Sequence, residues 1–122
     1  LDPTAPGDPA DLAQLFSLRA AIRAQLGMVE RARADYATAI DQLDRDPAAD
    51  PETVAARHRT RLGWALEMAS LDLRAGDSAR ARQRITDLLA NPDDEAYVHD
   101  TIDVRPEFAA LLADLPVARP AP

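Results

Sequence analysis

The sequence predicts an all-α fold built from antiparallel helical hairpins, and three observations carry that prediction. Alanine is abundant and Val and Ile are sparse, while only two Phe, two Tyr and one Trp are present, a composition that favours helices over sheets. Helix boundaries are marked by Asp-Pro pairs and by isolated glycines. Between those marks apolar residues recur at steps of three and four.

Residues 1–8, "LDPTAPGD", and 116–122, "PVARPAP", read as Pro-rich linkers, so the chain is expected to be processed or a segment of a longer one. Residues 9–115 read as one domain of about five to six helices. The first helix is expected over 9–26, with Asp8 as N-cap and Pro9 at the first helical position. Gly27 then reverses the chain into a second helix over 29–46, where Val29, Ala32, Tyr36, Ala39, Ile40 and Leu43 form one stripe. Asp50-Pro51 opens a third helix over 51–75. It carries two stripes, Trp64, Met68, Leu71 and Ala75 on one side and Leu62, Leu66, Ala69 and Leu73 on the other. A helix apolar on two sides is sandwiched between neighbours. Gly76 stops it, Asp77 caps a fourth helix over 78–90, and Asn91-Pro92 ends that one. A turn or short helix over 94–102 follows. A last helix over 106–115, opened by Pro106, presents Phe108, Leu111, Leu112 and Leu115. The two- or three-residue connections at Gly27 and Gly76 force antiparallel neighbours, giving hairpins at 9–46 and 51–90 and a C-terminal cap at 94–115.

The hairpins match each other with an offset of 49 residues, Gly27 to Gly76. Five steps from each glycine a large aliphatic residue faces an alanine, Ile22 with Ala32 and Leu71 with Ala81. Nine steps out Leu18 lies level with Tyr36, and Glu67 with Ile85. Eight steps out stand Arg19 and Asp35. Arg19 shares its side of the first helix with Leu15, Ile22 and Leu26, where a lone charge would not belong. A partly buried Arg19–Asp35 ion pair across the hairpin is therefore expected.

In "LFSLRAAIRAQLGMVERARADYATAIDQLDRDP", Phe16, Ala20, Gly27, Ala32, Tyr36 and Ala39 stand at the aromatic, small and turn positions of the tetratricopeptide repeat, which the chain resembles. Pro47 ends the unit about three residues late. In "LGWALEMASLDLRAGDSARARQRITDLLANP" the match is looser: Ala69, Gly76, Ala81, Ile85 and Pro92 fit, Leu88 replaces an alanine and Trp64 is one place off. The resemblance implies a right-handed solenoid fragment of two degenerate repeats plus a capping helix. Its concave side would be lined by the first helix of each hairpin. That side would present Gln14, Ser17, Ala21 and Gln25 from one unit and Gly63, Leu66, Ser70, Leu73 and Arg74 from the next, as a mild surface for a protein or peptide partner. Chaperone-binding members hold a C-terminal carboxylate with a basic and asparagine clamp; Ser17, Ala21 and Glu67 occupy those places here. Two hairpins are fewer than the roughly three repeats a stack usually needs. Either segment 94–115 folds back over Leu66 and Leu73, or a second copy covers that face. The implied function is a non-catalytic interaction module, with a structural or homodimerisation domain as the alternative.

The remaining features exclude other classes. A net charge of −7 opposes binding to nucleic-acid phosphates. Without cysteine there is no disulfide, thiolate metal site or cysteine nucleophile, and no apolar run approaches the roughly 20 residues of a membrane span. No serine lies in an elbow motif, and no glycine-rich phosphate loop or paired-histidine motif occurs, so neither an enzyme nor a cofactor is expected. The run "NPDDEAYVHDTID" gathers Asp93, Asp94, Glu95, His99, Asp100 and Asp103 without calcium-loop spacing, and reads as a solvated acidic turn capping a short helix. His58 has no acid near it in sequence and reads as a surface or packing residue. All fourteen basic residues are Arg, which fits a GC-rich bacterium; compartment is left open.

Overall fold

The computed structural model describes residues 9–45 and 50–112. Among the described residues six α-helices are formed: α1 Pro9–Gln25, α2 Val29–Arg45, α3 Pro51–Arg74, α4 Ser78–Leu89, α5 Glu95–Asp103 and α6 Ala109–Leu112. A 3-10 turn over Pro106–Phe108 leads into α6. No strand occurs among the described residues, and the fold is all-α. The expected cap at Asp8, the linkers, Pro47 and Leu115 lie outside the described residues.

The two turns are built alike. Gly27 and Gly76 take φ of 78° and 80°, a left-handed conformation in which only glycine avoids a Cβ clash. After each, an amide reaches back five residues: Met28 N–H donates to the Arg23 carbonyl and Asp77 N–H to the Asp72 carbonyl, both at 2.8 Å. Gly27 and Gly76 donate to Ala24 and Leu73 at 3.1 and 3.0 Å. These are the paired bonds of a Schellman stop, which satisfy carbonyls that the helix end leaves open. The starts are equally specified. Asp50 accepts from the Thr53 amide and hydroxyl at 2.8 and 2.9 Å, and Asp77 accepts from the Arg80 amide at 3.1 Å. The expected helix over 106–115 opens instead as a 3-10 turn, with Phe108 N–H donating to Arg105 O at 3.1 Å. A proline at the entry leaves a short, tightly wound first turn.

The two stripes of α3 do separate work. Met68 and Leu71, with Trp64 beside them, close on Ala20, Ala32 and Tyr36 of the first hairpin. Leu66 and Ala69 belong to a second cluster with Ala81, Ile85 and Leu89 of α4, Val98 and Ile102 of α5, and Phe108 and Leu111. Ala20, Ala32, Ala39, Ala69 and Ala81 are all fully buried, so the rods approach through alanine-sized gaps as the spacing predicts. The clusters obey the 49-residue offset: Ala20, Ala32, Tyr36 and Ile40 map onto Ala69, Ala81, Ile85 and Leu89.

The side of α1 that faces inward differs from the expectation. Ala13, Phe16, Ser17 and Ala20 are buried, whereas Leu15, Leu18, Ile22 and Leu26 are 47%, 59%, 58% and 69% exposed. Leu18 and Ile22 therefore do not fill the hairpin opposite Tyr36 and Ala32. The small side of α1 turns inward because the alanines permit close backbone approach. Periodicity alone does not orient a helix that is apolar all round.

Candidate functional site

Charged side chains lock the helices into this arrangement. Arg19 donates Nε and Nη2 to the two oxygens of Asp35 at 2.9 and 2.8 Å, and Arg23 adds a third bond at 3.0 Å. Asp35 is buried while Arg19 keeps about a third of its side chain in solvent and stacks 5.1 Å over the Phe16 ring. The hydrogen bond to Asp35 raises the Arg19 pKa despite the desolvation that opposes it. The second hairpin holds a charge-reversed counterpart. Adding 49 to Arg23 and Asp35 gives Asp72 and Arg84, and Arg84 Nε donates to Asp72 at 2.6 Å. Asp72 is fully buried; its other oxygen takes Arg33 of α2, so one carboxylate ties the two hairpins together. Hydrogen bonds from Arg33 to Glu30 and Asp72 raise the Arg33 pKa well above its ordinary value.

The C-terminal segment closes over the second hairpin. Phe108 is fully buried against Leu66. Ser70, itself buried, donates to Glu107 at 2.7 Å, and Arg105 reaches Glu67 and Glu107 at 2.6 and 3.0 Å. Burial pushes the Glu107 carboxyl upward, but Ser70 and Arg105 outweigh it and hold the group below the usual glutamate range.

This placement divides the expected concave site. Leu66 and Ser70 lie beneath the C-terminal segment, and Leu73 is partly buried against the same cluster, so that half of the groove is closed by the chain itself. Ser17 is also buried and donates to the Gln14 carbonyl at 2.8 Å. Arg74 is exposed but donates to the Ala24 carbonyl at 2.9 Å, serving as a strap between hairpins. Gly63 is half-buried on α3. Gln14, Ala21 and Gln25 remain exposed together on α1. Beside them lie the exposed Leu15, Leu18, Ile22 and Leu26, a group the sequence reading assigned to the interior.

From residue 12 to residue 26 the exposed residues of α1 are Gln14, Leu15, Leu18, Ala21, Ile22, Gln25 and Leu26, all uncharged, bordered by the partly exposed Arg19 and Arg23 that pair with Asp35. By contrast α4 exposes Arg80, Gln83 and Asp87. In a chain with 29% charged residues, this strip four turns long carries no side chain that is both charged and fully exposed.

The acidic run folds differently from the expectation. Asp94 is buried, not solvated, and bonds His58 Nε2 at 2.7 Å, tying α3 to the start of α5 without accepting a capping bond from that helix's amides. His58 thus has an acid partner 36 residues away in sequence. Its Nδ1 faces Arg61 Nη1 at 3.3 Å, leaving neither ring nitrogen open to a ligand. The adjoining cleft of about 570 Å³ is lined by Arg59, Leu62, Asp93 and Tyr97. Among the described residues no three His, Asp or Glu side chains converge on a metal position, and no helix is long and apolar enough to cross a membrane.

No family model, curated protein or solved structure matches this chain.

Proposed function

We propose that this chain is a non-catalytic protein–protein interaction module of the tetratricopeptide type, and that its docking surface is the outer side of α1. The observation that carries the reading is the uncharged strip of Leu15, Leu18, Ile22 and Leu26 on a helix whose opposite side already fills the core. Burying those four side chains stabilises a complex by roughly 1–2 kcal/mol each, enough to drive association. Gln14 and Gln25 flank the strip and supply amide groups for its rim, with Ala21 between them. The Schellman turns, the alanine crossings and the 49-residue offset support kinship with the repeat family.

The test uses the lack of cysteine. Ala21→Cys carries a photo-activatable maleimide, and the labelled chain is irradiated in an extract of its native cells. Protein adducts that disappear with Leu18→Asp are expected. Equal labelling with and without Leu18→Asp, or no adduct at all, would overturn the reading.

A further inference from the structure

The buried Asp72 carboxylate is shared by arginines from both hairpins, Arg33 of α2 and Arg84 of α4. Both of them, together with Arg80, line a cleft of about 250 Å³ bordered by α2 and α4. Ala34, Ala37 and Met68 form its apolar part, and Glu30 lines it as well. Three of the fourteen arginines therefore share one small cleft in a chain of net charge −7.

The acids around the cleft do not use up its donors. Arg33 spends Nη1 on Asp72 and Nη2 on Glu30. Arg84 spends only Nε, and its two terminal nitrogens have no partner among the described residues. Arg80 is exposed, and its guanidinium makes no hydrogen bond or ion pair among the described residues; it meets only the longer-range attraction of Glu30. Asp77 also faces Glu30, but its carboxylate caps α4 through the Arg80 amide. Arg80 and Arg84 stand four apart on one helix, a spacing at which like charges repel. An anion held between their open ends removes that repulsion. Glu30 shows the chemistry that the cleft attracts: its side chain is 76% exposed, yet its carboxylate turns in to Arg33. A contact so exposed is weak, and Glu30 can give way to another anion at little cost.

We infer that this cleft binds a phosphate monoester, held by Arg80 and Arg84 and joined by Arg33 when Glu30 swings out. A phosphate dianion carries two charges and three terminal oxygens, which suits three guanidiniums; a carboxylate offers one charge and two oxygens. The methyl groups of Ala34 and Ala37 and the thioether of Met68 give the organic part of the ester an apolar seat, which inorganic phosphate would leave unused. The site lies on α2, α3 and α4 and makes no use of the α1 strip.

Nitrogen-15 NMR titration of the 122-residue chain tests this, with phenyl phosphate, inorganic phosphate and acetate as probes at constant ionic strength. The pH is held at about 7.5, where the monoester is a dianion. The Nε–H signals of Arg80 and Arg84 and the amides of Ala34 and Ala37 are expected to shift together and to saturate. Phenyl phosphate should bind most tightly and acetate least. Arg80→Gln, at an exposed position without a side-chain bond, should weaken phenyl phosphate about fivefold, the loss of one exposed charge contact. Glu30→Gln should tighten it about threefold by removing the competing carboxylate. Arg59→Gln, the same change of charge on α3 outside the cleft, should leave it unchanged. Shifts that do not saturate, or equal weakening by Arg80→Gln and Arg59→Gln, overturn the site, since net charge alone would then account for binding. Phenyl phosphate no tighter than inorganic phosphate overturns the ester, and acetate as tight as either overturns the choice of phosphate.

Discussion

Asp72 gives the sharpest test of how this fold is held. Its carboxylate is fully buried, with one oxygen taking Arg33 of α2 and the other Arg84 of α4. Replacing it with alanine removes two charge-assisted hydrogen bonds, each worth about 1.5–3 kcal/mol, and leaves two guanidinium groups facing a low-polarity seam. Part of that loss is recovered. Arg84 is 28% exposed and can swing into water, and the desolvation cost of the carboxylate itself disappears. Arg33, only 12% exposed, has less freedom. The net destabilisation is about 3 kcal/mol, at the low end for breaking a buried ion pair, or roughly 10–18 °C in Tm for a domain of this size. Urea unfolding followed by Trp64 fluorescence reads it, since Trp64 packs at the seam between the hairpins. The control is Arg33→Met/Asp72→Leu/Arg84→Met, which replaces all three charges with apolar groups and should lie within about 1 kcal/mol of the parent. A loss below about 1 kcal/mol for Asp72→Ala, or a triple variant no more stable than Asp72→Ala, would show that the network does not carry the hairpin contact.

Two glycines of α3 and its exit should respond in opposite directions to alanine. Gly76→Ala is expected to cost about 1 kcal/mol, through its φ of 80° alone because a Cβ there meets nothing within 4 Å. Gly63→Ala, also with open space around it, is expected to gain about 0.5–1 kcal/mol from helix propensity; urea midpoints decide both. Phe108→Ala should cost about 3–5 kcal/mol and increase binding of an apolar dye, as Leu66 loses its cover; an unchanged dye signal would mean the cap is held by something else. The Glu107 contribution has a defined pH window. Its folded pKa is lowered, so its stabilisation is present above the ordinary glutamate value of about 4.3 and is lost as pH falls through the lower folded value. Glu107→Gln should flatten that part of the stability profile measured between about pH 3 and 6.

What the sequence made legible was local. Asp50, Asp77, Gly27 and Gly76 specify their conformations through bonds that span three to five positions, and those fall within reach of a pattern. Arg19–Asp35 was legible because a short turn makes equal distances from Gly27 equal heights. The inward side of α1 was not legible, because a helix apolar on every side offers no moment to orient it. Arg33–Asp72 and His58–Asp94 join residues 39 and 36 apart in sequence, and no local signal links them. The Asp72–Arg84 pair did have a signal. The offset of 49 places it on Arg23–Asp35 with the charges exchanged, a substitution invisible to a comparison that looks for identical residue types.

That exchange also bears on why the two ends of the molecule differ. A hairpin needs its register fixed by a charge pair and its open face filled by a neighbour. In the first hairpin the pair is supplied internally, by Arg19, Arg23 and Asp35. In the second the acid has moved onto α3, where it can also bind Arg33 of the preceding unit. Moving the carboxylate therefore converts a lock within one hairpin into a lock between two, without changing the spacing of either. At the C-terminal end Arg105 plays the corresponding part, bridging Glu67 and Glu107 while it lies 5.5 Å over the Phe108 ring. At the α1 end no such strap exists among the described residues. Arg19 and Arg23 are already committed to Asp35, and the strip beyond them is uncharged. Every face held within the chain is held by an apolar contact together with an ion pair that fixes its register. The α1 face has the exposed apolar side chains and, among the described residues, no such pair of its own.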